Sequence, residues 1–319
     1  MKYFRIILRI LAFTLGLAVL FTVTSLVFSP KSNSPSSGME EVSANGILGE
    51  KENTIDALII GDSESYSSIS PLHIWGQTGY TSYVCGSAGQ TLDYSETLLS
   101  RALETQNPKY VFLETDAIYR DLSAQNVMLS SLTGQFDVFR YHNRWKTLSL
   151  SDFVQQINFS WTDKYKGFIL NNTSVPSKAV NHMKRTNAIQ QISAINSQYV
   201  ERIKSICDEN GIKLVLLSTP STVNWNYERH NGVQQLADDL GCEYIDLNLK
   251  NNTLKIDWET DTRDAGDHLN YKGAVKVSDY LAEYLKSSRK LSDHRGDKLY
   301  ELWAEANKAY ETEVSKITA

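Results

Sequence analysis

Three short stretches of the chain hold residues that could do covalent chemistry. The first is Ile55-Asp-Ala-Leu-Ile-Ile-Gly-Asp-Ser-Glu-Ser65, in which an apolar run stops at Gly61-Asp62-Ser63. A serine there would sit at the carboxyl end of a buried strand, where open α/β sheets bind their ligands. The second is Asp261-Thr-Arg-Asp264-Ala-Gly-Asp267-His268-Leu-Asn-Tyr-Lys-Gly273. Carboxylates one and four residues before a histidine, in a glycine-containing loop that opens a helix, are the materials of an oriented general base. The third is Gly86-Ser-Ala-Gly89-Gln-Thr91, whose two glycines could turn a backbone N–H toward a ligand, as an oxyanion hole requires. Each stretch also has a plainer reading: Gly-Asp-Ser is ordinary turn and capping chemistry, Asp-His is common in solvated loops, and paired glycines mark many turns.

The elements that must carry these residues follow from periodicity. Residues 57–60 are four consecutive apolar positions and read as a buried parallel strand, with Gly61 allowing a tight turn. Further strands are expected at 79–85, 108–114, 212–217 and 243–246. Helices are expected at 92–105, 189–210, 232–240 and 272–287, with Asn210-Gly211 and Gly241 as C-terminal caps. This βαβ rhythm predicts an α/β fold with a doubly wound, mostly parallel sheet. The rhythm breaks at about 121–184, a stretch rich in aromatic and polar residues that reads as an insertion or lid over the carboxyl edge of the sheet. His142 and Arg144 are candidate substrate-binding residues there; the competing reading is that Trp145 packs the insertion while His142 and Arg144 cap and solvate it.

The ends of the chain carry topology rather than chemistry. Lys2, Arg5 and Arg9 precede residues 10–28, a run of 19 residues without a charge. That is close to the roughly 20 residues that cross a bilayer as a helix, and the basic flank puts the N-terminus in the cytoplasm. A cleaved signal peptide competes with this reading; the length of the run and the lack of a small-x-small site or lipobox cysteine favour an uncleaved anchor. Residues 31–53 read as a flexible tether to an extracytoplasmic domain spanning about 54–288. Residues 289–319 are expected to form an amphipathic helix with Leu299, Leu302, Trp303 and Tyr310 on one side. The net charge of -5 and the lack of a basic cluster argue against a nucleic-acid partner. Cys85, Cys207 and Cys242 show no metal-binding spacing, so buried inert thiols are expected, with no metal and no cofactor.

Taken together, Gly61-Asp-Ser63, Gly89-Gln-Thr91 and Asp264-Ala-Gly-Asp-His268-Leu-Asn resemble blocks I, II and V of the SGNH/GDSL hydrolase superfamily, over roughly residues 53–288. The resemblance implies a flavodoxin-like SGNH fold, Ser63 as nucleophile, His268 as its base, and the main-chain N–H groups of Ser63 and Gly89 as oxyanion donors. Two positions depart from the pattern. The block III asparagine, a side-chain oxyanion donor, corresponds to Asp116, which must be protonated, turned away or replaced by another donor. The family acid, three residues before the histidine, corresponds to Ala265; Asp264 is then the first choice, since it can curl under the ring, and Asp267 the alternative. The N-terminal anchor is similar to the acyltransferase-accessory branch, which includes the D-alanyl-lipoteichoic acid biosynthesis protein D family and partners of membrane-bound O-acyltransferases. This implies a serine esterase or O-acyltransferase acting on acyl esters of a cell-envelope polysaccharide or glycolipid, with a membrane-bound O-acyltransferase as partner. The alternative is a non-catalytic scaffold that keeps the fold and binds a glycan or a membrane partner.

Overall fold

The computed structural model describes residues 2–178 and 181–318, and the chain divides into two compact units. One comprises the chain up to Glu40 together with Ser123–Trp161, and the other comprises Glu41–Leu122 and the chain from Thr162 onward.

The second unit is built on five parallel strands: β1 (Ala57–Gly61), β2 (Ser82–Gly86), β3 (Tyr110–Glu114), β4 (Lys213–Ser218) and β5 (Glu243–Asp246). Their order is β2-β1-β3-β4-β5, so the chain steps outward from β1 to β2 and then crosses back to β3. The order reverses between β1 and β3, and in doubly wound sheets the crevice at the carboxyl ends of such a pair is the ligand site. The register pairs Gly61 with Gly86 and Ile60 with Leu113, so β1, β2 and β3 end side by side.

The strands are apolar on both faces because helices cover both. Alternation sends Ala57, Ile59, Tyr110, Phe112, Val215 and Leu217 to one face, where they pack with Val277, Leu281 and Leu285 of the helix Tyr271–Ser288. The helices Leu92–Leu103 and Ala194–Glu209 pack together and against β1, β2 and β4, burying Leu98, Leu99, Val200 and Ile203. All three cysteines are free; burial raises the thiol pKa of Cys85 and takes that of Cys207 up to about 12.

Several boundaries differ from the sequence expectation for local reasons. β2 begins at Ser82 rather than 79, because Gly79 adopts φ +72° and closes the helix Pro71–Thr78. The helix expected from 189 begins at Ala194, where the Ser193 hydroxyl accepts from Asn196 N–H. The helix expected from 232 begins at Tyr227, capped by the Asn226 side chain.

Larger differences involve residues 31–53 and the tail. Residues 42–49, expected to lie in a tether, form the helical turns Val42–Asn45 and Gly46–Gly49, with Ala44, Ile47 and Leu48 buried. Tyr83 Oη donates to the Ser43 carbonyl at 2.8 Å and Arg101 Nη1 to Asn45 Oδ1 at 2.9 Å, so ordered structure starts before residue 54. The C-terminal helix is Glu301–Thr318, and its buried residues are Trp303 and Tyr310. Trp303 and Tyr300 pack on Trp75, whereas Leu299 and Leu302 face solvent, so the expected four-residue apolar side is a narrower stripe. A buried ion pair between Glu50 and Lys166 at 2.7 Å lies under this helix; Trp303 Nε1 donates to Glu50 Oε2 at 3.1 Å, and the Lys166 ammonium stands over the Trp303 ring.

The insertion expected at 121–184 is two things rather than one. Ser123–Trp161 packs with the N-terminal segment as its own unit. The stretch after Thr162 is a strap on the second unit: Val84 N–H donates to the Lys166 carbonyl, Ile169 N–H to Tyr66, Val175 N–H to Thr262, and Ala265 N–H to Val175. The first unit contains the helix Lys2–Phe28, long and apolar enough to cross a membrane, as the sequence predicts. Helices at Ala124–Gln135 and Asp137–Arg140 follow in the same unit.

Candidate active site

Ser63 stands at the first position of the helix Ser63–Ser68, directly after β1. The turn requires Gly61, since a Cβ there would lie 2.4 Å from the Glu114 Cβ on β3. Asp62 caps the helix by accepting the Glu64 N–H at 3.0 Å, and its other oxygen accepts from Arg120 Nε at 3.0 Å. Gly86 closes the neighbouring strand, where a Cβ would come within 2.5 Å of the Ser65 hydroxyl.

His268 arrives on the loop before the helix Tyr271–Ser288. Its Nε2 lies 2.8 Å from Ser63 Oγ, and its Nδ1 lies 2.7 Å from Asp264 Oδ2. The second oxygen of Asp264 accepts the backbone N–H of His268 at 2.6 Å, so one carboxylate fixes both the ring and the main chain. That curl depends on left-handed backbone at Ala265 (φ 63°) and Gly266 (φ 94°). A Cβ on Gly266 would lie 1.9 Å from Thr222 Oγ1. The loop is clamped from outside as well, Thr222 N–H donating to the Gly266 carbonyl at 2.8 Å and Ser221 Oγ to the Asp267 carbonyl at 2.8 Å.

Asp267 is placed second. Its Oδ2 is 3.6 Å from His268 Nδ1, and its Oδ1 accepts from Asn224 Nδ2 at 2.6 Å. The same amide donates to Glu64 Oε1 at 2.9 Å, which bridges Asp267 to a fully buried carboxyl group. Burial, reinforced by Glu114 and Asp62, raises the pKa of Glu64 well above the usual range. Glu64, Asp267 and His268 bring ligand atoms within 4.8 Å of one another, a spacing open to a metal ion. The donor set does not fit one, since both ring nitrogens of His268 are engaged by Ser63 and Asp264.

Asp116 follows β3 and is 5% exposed. Its carboxylate is taken up by two guanidinium groups, Arg229 at 2.7 Å and Arg120 at 2.9 Å. Burial and the adjacent Asp62 still push its pKa up to about 7 against the pull of both arginines. In this geometry both oxygens of Asp116 face guanidinium groups, which is the turned-away arrangement expected if another donor serves the oxyanion. Burial, with Asp62 and Asp116 nearby, also raises the pKa of Glu114 well above the usual range. Arg120 stands four residues after Asp116, whereas Arg229 comes from 113 residues away, and no local pattern marked it.

The main-chain candidates are placed differently. Gly89 is exposed with φ +62°, and nothing would meet a side chain there within 4 Å. Tyr66, one turn along the helix from Ser63, was not singled out by sequence. Its hydroxyl stands near Ser63 and the Arg263 guanidinium; burial raises its pKa, while Arg263 and Ser63 oppose the shift. Only its i,i+3 spacing from Ser63 could have pointed to it.

His142 and Arg144 belong to the first unit. Arg144 donates to the Phe28 carbonyl at 2.6 Å and pairs with Asp152 at 2.6 Å, and His142 Nδ1 contacts the Phe139 carbonyl at 2.8 Å. Arg144 therefore ties the insertion to the N-terminal helix, while Trp145, 64% exposed, packs little of it.

No family model matches the sequence, and no curated protein does. Among solved structures, the chain is similar to the psychrotrophic esterase EstA from Pseudoalteromonas sp., at 10% identity over 74% of this chain and 99% of that one, with a TM-score of 0.39. It is similar to a lipase/acylhydrolase from Enterococcus faecalis, at 12% identity over 73% and 97% of the two chains and a TM-score of 0.39. It is also similar to the acetyl xylan esterase AlAXEase, at 16% identity over 73% and 99% and a TM-score of 0.36. At these identities and TM-scores, none of the likenesses assigns the chain an activity.

Proposed function

We propose that the chain is a serine esterase or O-acyltransferase of SGNH/GDSL type, with Ser63, His268 and Asp264 as its triad. The observation that carries this reading is the continuous relay Ser63 Oγ to His268 Nε2 at 2.8 Å and His268 Nδ1 to Asp264 Oδ2 at 2.7 Å. Ser63 Oγ attacks the carbonyl carbon of an acyl ester while Nε2 takes the hydroxyl proton. Asp264 stabilises the imidazolium, which returns its proton to the departing alkoxide as the carbon–oxygen bond breaks. The acyl-serine then passes its acyl group to a sugar hydroxyl or to water, with His268 again as base.

The N–H groups of Ser63 and Gly89 are the backbone donors for the tetrahedral oxyanion. With Asp116 bound to Arg120 and Arg229, the Tyr66 hydroxyl takes the part of the third donor. The N-terminal helix anchors the enzyme as a single-pass protein with its catalytic unit outside the cytoplasmic membrane, acting on acyl esters of envelope carbohydrate beside a membrane-bound O-acyltransferase. Support for that setting comes from the helix Lys2–Phe28 and its basic N-terminal flank.

The test is treatment of the full chain in detergent with a fluorophosphonate probe and with p-nitrophenyl acetate. The wild-type chain labels and turns over ester, and Ser63→Ala does neither. Identical behaviour of the two proteins would falsify the serine-enzyme reading.

A further inference from the structure

The helix Ala124–Gln135 is difficult to account for in water. It buries no residue of its own, and no charged residue occurs from 122 to 136. Isolated helices of this length are marginal in water, and surface helices are normally held by an apolar face packed on a core. Here Met128, Leu129 and Leu132 point outward, exposed by 64%, 57% and 40%. The short helix Ser151–Val154 repeats the pattern with Leu150, Phe153 and Val154 exposed by 88%, 63% and 82%. Exposed apolar groups at this density mark a surface that meets another apolar phase.

The place of this surface along the N-terminal helix says which phase. The ring of Phe21 packs on Phe136 and Phe139 at 5.4 and 4.9 Å, Ser25 Oγ accepts Val138 N–H at 3.1 Å, and the Phe28 carbonyl accepts from Arg144. Leu26 and Val27 share a groove with Phe153, Val154 and Ile157. Every one of these contacts falls on the last turns of the charge-free run, which ends at Phe28. At about 1.5 Å per residue, Phe21 lies about 10 Å inside that end, and in-plane amphipathic segments sink about 5–10 Å into the headgroup and acyl boundary. Exposed Trp145 beside Lys146 completes the arrangement with the residue types that collect at membrane interfaces.

We infer that Ser123–Trp161 is a membrane-embedded collar, its helices Ala124–Gln135 and Ser151–Val154 immersed in the outer leaflet around the emerging anchor, with lipid acyl chains covering the exposed apolar side chains. This rests on the membrane-spanning reading of the N-terminal helix. It also means that residues 21–29 are part of a folded unit, which cleavage of a leader would dismantle.

The experiment uses the full chain in vesicles of phosphatidylcholine and phosphatidylglycerol. Cys242→Ser removes the partly exposed native thiol, and an environment-sensitive thiol dye is placed by Leu129→Cys, Phe153→Cys, Leu15→Cys or Glu209→Cys in separate proteins. Dyes at 129 and 153 are expected to shift to the blue and to lose about half their emission or more to lipids nitroxide-labelled near the headgroup, while the dye at 209 stays accessible to aqueous iodide. If 15 is quenched by lipid but 129 and 153 are quenched by iodide, the collar is overturned and the anchor stands. If 15 is also quenched by iodide, both are overturned. Quenching at 129 and 153 by neither agent means that protein covers the patch, which overturns the collar in favour of a protein contact.

Discussion

Asp264 grips His268 twice, through Oδ2 to the ring Nδ1 at 2.7 Å and through Oδ1 to the backbone N–H at 2.6 Å. An acid held four residues before the base thus sets the tautomer of the imidazole and the path of the loop that carries it. Asp267, adjacent to the histidine in sequence, is instead bound by Asn224.

The two aspartates should separate cleanly in kinetics. Asp264→Asn is expected to lower kcat/KM for p-nitrophenyl acetate by about 10²–10⁴, as loss of a triad carboxylate does, whereas Asp267→Asn should cost less than about tenfold. Reversal of that ranking would move the acid role to Asp267.

Tyr66→Phe removes a donor next to the nucleophile without opening a cavity. If the hydroxyl stabilises the oxyanion, kcat falls about tenfold or more while KM changes little, since the bond forms in the transition state. An unchanged kcat would leave Ser63 and Gly89 as the whole oxyanion hole.

Gly266→Ala tests the loop itself. The new Cβ would lie 1.9 Å from Thr222 Oγ1 on a backbone at φ 94°, and such strain costs about 1–3 kcal/mol. The urea midpoint should drop, and ester turnover should fall further than stability alone explains because Asp264 and His268 move with the loop. A variant with wild-type stability and turnover would show that the left-handed turn is dispensable.

Asp116 gives the fold a pH dependence of uncommon sign. Its folded-state pKa, about 7, lies above that of an unfolded aspartate, so the folded chain binds this proton more tightly. The resulting stability is fully present below about pH 4 and is lost as pH rises through about 7. The Tm of the wild-type chain should therefore fall more steeply over that window than the Tm of Asp116→Asn. Parallel profiles would mean that Arg120 and Arg229 keep Asp116 charged throughout.

What was readable from the sequence was local. Residues 243–246 form β5 as expected, and the apolar run before Gly61 forms β1, because strands buried on both faces announce themselves without partners. The proximity of Asp264 to His268 was legible for the same reason, four residues in one loop. The distant partner of Asp116 was not: Arg229 lies 113 residues away, and a buried carboxylate does not name its counter-ion. The tether failed at Ile47-Leu48, a two-residue apolar contact too short for any periodicity to register. The insertion looked like one irregular segment because its two halves are sorted by what they pack on, not by composition.

The Glu50–Lys166 pair beneath Trp303 has a consequence for the order in which the molecule matures. Trp303 meets Glu50 across 253 positions, among the longest closures of the described residues, and Lys166 meets it across 116. Contacts of such separation form late, and Trp303 is synthesised long after Glu50 and Lys166. Lys166 begins the strap that reaches Tyr66 and the His268 loop through Ile169 and Val175. During synthesis, then, β1 and the Ser63 turn emerge long before the strap is locked, and that locking waits for the helix Glu301–Thr318.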